Sequence, residues 1–232
     1  MSLLNDARLE ALLFALHAQS EGQTAAMRAY FARRAQEGTL DWNRFDAQTD
    51  RFFADKLVAL EHDKAQFCYA QCRALRATRV VEAGTSFGVS TLYLAAAVRD
   101  NGLRRRSDRP SNAAGGTVIA TEYEPEKANA ARRNFAAAGL EAYIDLREGD
   151  LRETLKTLEA PVDFMLCDIW TEMAAPALRL VAPHMRPGAV VIADNTTTYR
   201  RQYEDYFAVL AEHGFRTMTL PFDGGLEMSV KG

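Results

Sequence analysis

The sequence predicts an α/β protein: a doubly wound, mostly parallel seven-stranded sheet with an antiparallel C-terminal hairpin strand, preceded by an N-terminal helical extension. Two observations carry this. From Arg79 onward, short apolar runs rich in Val, Ile and Phe alternate with helical stretches, the pattern of a parallel sheet covered on both faces. Before about residue 76 the periodicity is helical only.

In chain order, Leu9, Leu12, Leu13 and Leu16, then Ala26, Met27, Tyr30 and Phe31, then Phe52, Phe53, Leu57 and Leu60 recur at helical spacing. Amphipathic helices outside a complete sheet must bury their apolar faces, so residues 1–76 read as a lid or a dimer surface, and a homodimer is expected. RVVEA (79–83), TVIATE (117–122), AYIDLRE (142–148), VDFMLCD (162–168) and AVVIAD (189–194) read as strands, each followed by a helix. FRTMTLPF and LEMSVK close the chain as a hairpin across Asp223-Gly224-Gly225. Residues 77–232 thus form the ligand-binding domain. Within it NGLRRRSDRPSNAAGG (101–116) breaks the rhythm, and its Gly, Ser, Asn, Pro and Arg content reads as a flexible insertion.

Composition narrows the function classes. The 232 residues are 48% hydrophobic and 25% charged, with a net charge of −3, which gives no electrostatic case for nucleic acid or an anionic membrane. The N-terminus lacks a signal-peptide cleavage pattern, no run approaches a membrane span, and a cytoplasmic location is expected. Cys68, Cys72 and Cys167 have no zinc-ligand spacing and read as buried free thiols.

The chemistry lies at the strand ends, where doubly wound sheets bind ligands. VVEAGTSFGVSTLYLA (80–95) is a strand, a glycine turn and a helix, yet it lacks the three glycines that let a pyrophosphate approach, which disfavours a dinucleotide oxidoreductase. Instead Glu82 precedes Gly84 and Gly88, with Ser86, Ser90 and Thr91 around the helix start, a set suited to a zwitterion. The helix N-terminus receives a carboxylate, and Glu82 attracts an ammonium or sulfonium cation. Glu122, beside Tyr123 at the end of the second strand, can accept from two ribose hydroxyls, and Asp150 after the third from an adenine amino group. Carboxylate, amine, ribose and adenine sites without a pyrophosphate site describe S-adenosylmethionine. Asp168 ends the fourth strand and Asp194-Asn195 the fifth, an all-oxygen set suited to Mg²⁺, Mn²⁺ or Ca²⁺.

VVEAGTSFGVSTLYLA, IATEYEPEKANAARRNFAAAGL, REGD, FMLCDIW and VVIADN, in that order, resemble the class I S-adenosylmethionine-dependent O-methyltransferases, specifically the catechol and caffeoyl-CoA group. The resemblance covers about residues 60–232, with HDKAQF before the first strand and GGLEMSVKG at the end. It implies a Rossmann-like sheet, methyl transfer to a hydroxyl of a small molecule, and a divalent ion, Mg²⁺, held by Asp168, Asp194 and Asn195. Cofactor contacts are expected from Glu82, Gly84, Ser86, Gly88, Ser90, Glu122, Tyr123, Asp150, Asp168 and Trp170. One position departs from the family, whose general-base Lys lies three residues after the first metal Asp; here it is Thr171. Asp168 is kept as a catalytic candidate, with Glu172 as a substitute base. Tyr30, Phe31, Trp42 and Tyr199 are candidates for the acceptor pocket.

Overall fold

The computed structural model describes residues 3–41, 46–106, 116–159 and 161–232, with the side chains of 103–106 left out. Trp42 lies outside the described residues. The extension contains α1 (Ala7–Gln36), α2 (Ala47–Phe53) and α3 (His62–Ala74). There follow β1 (Arg79–Ala83), α4 (Val89–Arg106), β2 (Thr117–Glu122), α5 (Pro125–Ala138), β3 (Ile144–Glu148), α6 (Leu151–Thr154), β4 (Val162–Cys167) and α7 (Thr171–Val181). The chain ends with β5 (Met185–Asp194), α8 (Glu204–Glu212), β6 (Phe215–Leu220) and β7 (Leu226–Lys231).

The seven strands lie in the order β3-β2-β1-β4-β5-β7-β6, with β1 to β5 parallel and β7 antiparallel to both β5 and β6. The chain winds outward from β1 to β3 and then returns to β1's other side as β4. That reversal opens a crevice at the carboxyl ends of β1 and β4.

The pleat sorts the apolar residues into two cores. Val80, Val118, Phe164, Leu166, Val190 and Ile192 face α1, α3, α4 and α5, while Val81, Ile119, Met165, Cys167, Val191 and Ala193 face α6, α7 and α8. α3 belongs to the first core through Ala65, Cys68, Tyr69 and Cys72. All three cysteines are free and buried. Among the described residues no helix is long and apolar enough to cross a membrane.

One expected boundary is corrected. Residues 101–106, the first part of the predicted insertion, continue α4. Asn101 is buried and its Nδ2 donates to the carbonyls of Cys72 (3.1 Å) and Ala77 (2.9 Å), tying α4 to the end of α3. A polar residue read as loop composition is here satisfied by the backbone it anchors. Residues 107–115 of that segment lie outside the described residues.

Candidate active site

Strand register builds the site. Ala83 pairs with Thr121 on one side and Cys167 on the other, and Cys167 pairs with Ala193. One residue further on, Gly84, Glu122, Asp168 and Asp194 stand in a row along the carboxyl edge. All four line one cavity of about 690 Å³.

The turn after β1 is held by close backbone packing. Gly84 has φ +98°, and a Cβ there would lie 1.9 Å from the Asp168 carbonyl oxygen, so a side chain is excluded. At Gly88 (φ +85°) a Cβ would meet the Phe135 ring at 2.4 Å, which lets α5 pack against the turn. Ser86 adopts φ +50°, an uncommon conformation for a residue with a side chain. Glu122 clamps the turn to β2: it accepts from the backbone N–H of Ser86 (2.6 Å), Tyr123 (2.9 Å) and Glu124 (2.9 Å). Burial raises its pKa. The Ser86 hydroxyl is buried and, among the described residues, has no hydrogen-bond partner.

Gly84, Ser86, Ser90, Glu122, Tyr123, Asp150, Asp168, Trp170, Thr171, Glu172, Asp194 and Asn195 all line the cavity; Glu82 and Gly88 do not. Glu82 is fully buried beneath the turn, where its Oε2 accepts from Thr85 (3.3 Å) and Thr91 while Oε1 has no partner among the described residues. Burial pushes its pKa up to about 7, against the hydroxyls of Ser90, Thr91 and Thr85, which favour the charged form. Thr85 and Ser90, whose hydroxyls bond it, line the cavity. Asp150 caps α6 by accepting from Arg152 N (2.9 Å), and the Arg152 guanidinium, bonded to both its oxygens, holds its pKa down.

The second constellation sits at the ends of β4 and β5. Asp194 is 4% exposed, and the ammonium of Lys64 donates to its Oδ1 (2.6 Å) and to Glu61 Oε2 (2.8 Å). Asn195 Nδ2 donates to Asp194 Oδ2 (2.8 Å), and Asn195 Oδ1 lies against Gly224. Burial raises the pKa of Asp194 to about 6, while Lys64 opposes that shift. Asp168 is raised well above the usual carboxylate range by burial and by the charges of Asp194 and Glu82.

The helical extension forms the remaining wall. Met27 and Phe31 of α1, Phe53 of α2 and Val58 line the cavity, and Phe53 meets Trp170 edge to face at 5.4 Å. Tyr30 is absent from the lining; it stacks on Phe52 (3.9 Å) and its hydroxyl pairs with Thr49 (3.0 Å). Tyr199 lines the cavity as expected. Sequence reasoning missed Phe53 as a wall residue and Lys64 as the partner of Asp194. The only signal for Lys64 was its place in the HDKAQF stretch.

A family model described as "Methyltransferase domain" matches residues 81–196, half of the 232-residue chain. A catechol O-methyltransferase of Mycobacterium tuberculosis is 30% identical over 139 residues, 60% of this chain and 57% of that one. A second, from Niastella koreensis, is 28% identical over 146 residues, 60% and 58%. The matched region thus spans under two thirds of the length of these relatives. Among solved structures, the O-methyltransferase from Bacillus cereus in complex with SAH superposes with a TM-score of 0.65 at 20% identity, covering 80% of this chain and 88% of that one. TomG from Streptomyces achromogenes, an O-methyltransferase of tomaymycin synthesis in complex with SAM, gives 0.62 at 21%, covering 80% and 86%. These two share the fold.

Proposed function

The chain belongs to the methyltransferase-domain family, and from that premise we propose that it transfers a methyl group from S-adenosylmethionine to a hydroxyl oxygen of a small molecule. The observation that carries the reading is the row of Gly84, Glu122, Asp168 and Asp194 along one cavity wall, with the Ser86 turn at its edge. The relatives named catechol O-methyltransferase and the neighbours holding SAH or SAM support it.

The residues present fit that cofactor. The Ser86 hydroxyl, buried and without a partner among the described residues, and the Ser90 side chain suit a charged amino-acid end, Glu122, with an acceptor site left on Oε2, suits a ribose hydroxyl, and Asp150 suits a purine amino group. Bound there, the cofactor would supply an electrophilic methyl carbon on a sulfonium, with a neutral thioether as the leaving group for an attacking acceptor oxygen. Phe31, Phe53, Trp170 and Tyr199 hold a flat acceptor and exclude water from it. Asp168, at the end of β4 and lining the cavity, is the group placed to take the acceptor's proton. Glu172 is exposed on the rim, and Thr171 cannot take a proton at neutral pH.

The divalent ion implied by the resemblance does not fit the site as built. The buried ammonium of Lys64 already neutralises Asp194 from 2.6 Å and would repel a second cation there, which supports metal-independent transfer.

Calorimetric titration with S-adenosylhomocysteine, beside NAD as a comparison, tests the cofactor. Binding is expected for the first and none for the second; equal affinities would end the methyltransferase reading. Labelled-methyl transfer to a panel of phenols and polyols then tests the acceptor class.

A further inference from the structure

Lys64 and Asp194 are 130 residues apart in the chain, yet their side chains are 1% and 5% exposed and in contact at 2.6 Å. The lysine stands in the first turn of α3, whose apolar face is locked into the first core by Ala65, Cys68 and Cys72. Its position is therefore fixed by packing and not by a flexible stem reaching in from solvent. Asp194, by contrast, lines the cavity, which Lys64 does not. The ammonium thus stands directly behind the carboxylate that faces the ligand.

Mg²⁺ takes oxygen ligands at about 2.0–2.1 Å and demands near-octahedral geometry. An ion coordinated by Asp194 would sit beside the ammonium already 2.6 Å from Oδ1, and two cations in contact in a buried site repel strongly. The other oxygen is taken by Asn195 Nδ2, and the Asn195 carbonyl oxygen lies toward Gly224. Building on the methyltransferase reading, we infer that Lys64 is the resident cation of this site, a positioning residue that acts through Asp194 in place of a divalent ion. The acceptor is consequently freed from a chelation requirement. A divalent ion grips two adjacent oxygens, whereas an aromatic wall of Phe31, Phe53 and Trp170 beside a compensated carboxylate holds a ring carrying a single hydroxyl. The substrate class is a monohydroxylated aromatic.

Mn²⁺ titration followed by electron paramagnetic resonance tests this, on protein first shown by calorimetry to bind S-adenosylhomocysteine. Failure of that first binding overturns the methyltransferase reading; the Mn²⁺ arm concerns Lys64 alone. Wild-type protein is expected to leave the free Mn²⁺ signal undiminished. Lys64→Ala is expected to bind Mn²⁺ at least about tenfold more tightly, and Lys64→Ala/Asp194→Ala to lose that gain. Wild-type binding of Mn²⁺ that vanishes in Asp194→Ala would overturn the inference, as would a folded Lys64→Ala without the gain. If Lys64→Ala does not fold, the wild-type protein still decides: chelator-treated enzyme should retain its turnover on monohydroxylated phenols, and a chelator-sensitive turnover restored by Mg²⁺ refutes the assignment.

Discussion

Gly84 shows how little freedom a single residue in this site has. It combines φ +98° with a carbonyl oxygen 1.9 Å from the place a Cβ would occupy, and that oxygen belongs to Asp168. Asp168 N in turn donates to Ala83 O at 3.0 Å, so β1 and β4 are stitched together at the residue before the turn. Gly84→Ala must either push β4 away or refold the turn, and both act on the cavity wall. We expect a loss of at least about 2 kcal/mol in stability by urea denaturation, with S-adenosylhomocysteine binding abolished; an unchanged midpoint and affinity would refute this account. The glycine's role was legible because only glycine tolerates such a position. Glu82 was half legible: its place at the strand end was readable, but its burial under Thr85 and Thr91 depends on hydroxyls folded back over it.

At the scale of elements, the strands were legible wherever hydrophobic alternation alone defines them. RVVEA, TVIATE and LEMSVK coincide with β1, β2 and β7. β5 starts earlier than AVVIAD, at Met185, and runs through Pro187-Gly188, where its pairing with β4 shifts register. A Pro-Gly pair reads as a turn in sequence, and here an irregularity absorbs it. The attachment of α2 was not legible, since polar contacts between distant residues leave no periodic trace. Arg34 of α1 is buried, and its guanidinium holds Asp46 (2.7 Å), the Thr39 carbonyl (2.6 Å) and the Tyr30 hydroxyl (3.1 Å). Asp46 also caps α2 through Thr49 N (2.9 Å). One arginine therefore fixes both the start of α2 and the Phe53 that meets Trp170. In Arg34→Met we expect faster amide exchange across α2 and a raised KM for acceptor, with S-adenosylhomocysteine affinity nearly unchanged because its proposed contacts lie on the sheet. Equal loss of both ligands would mean that α2 supports the whole cavity.

Across the whole molecule, the deeply buried acids at the carboxyl end of the sheet and the buried Asp163 at the other end are shifted in opposite directions. At the carboxyl end, burial raises Glu82 to about 7 and Asp194 to about 6, and raises Glu122 and Asp168 as well. At the opposite end Asp163, at the start of β4, accepts from Thr78 N (2.7 Å), Arg79 N (3.0 Å) and Arg186 Nε (2.7 Å), tying β1, β4 and β5 together. Burial alone would raise Asp163, but these bonds outweigh it and hold its pKa below 3.8. The signs follow from proton counting. Between about pH 4.5 and 7 the folded chain binds more protons at Glu82 than the unfolded chain does, so stability falls as pH rises through that window. Below about pH 3.8 the unfolded chain binds a proton at Asp163 before the folded chain does, so stability falls as pH drops. Ligand-free protein should therefore be most stable on the acid side of neutrality, near pH 5, as read by urea midpoints across a pH series. Glu82→Gln should make the neutral limb shallower, the remainder belonging to Asp194, Glu122 and Asp168, and Asp163→Asn should make the acid limb shallower, each leaving the other limb in place. A midpoint that climbs steadily to pH 7 in the wild type would contradict the account, because it would require the carboxyl-end acids to be ionised without cost beneath a turn that buries them.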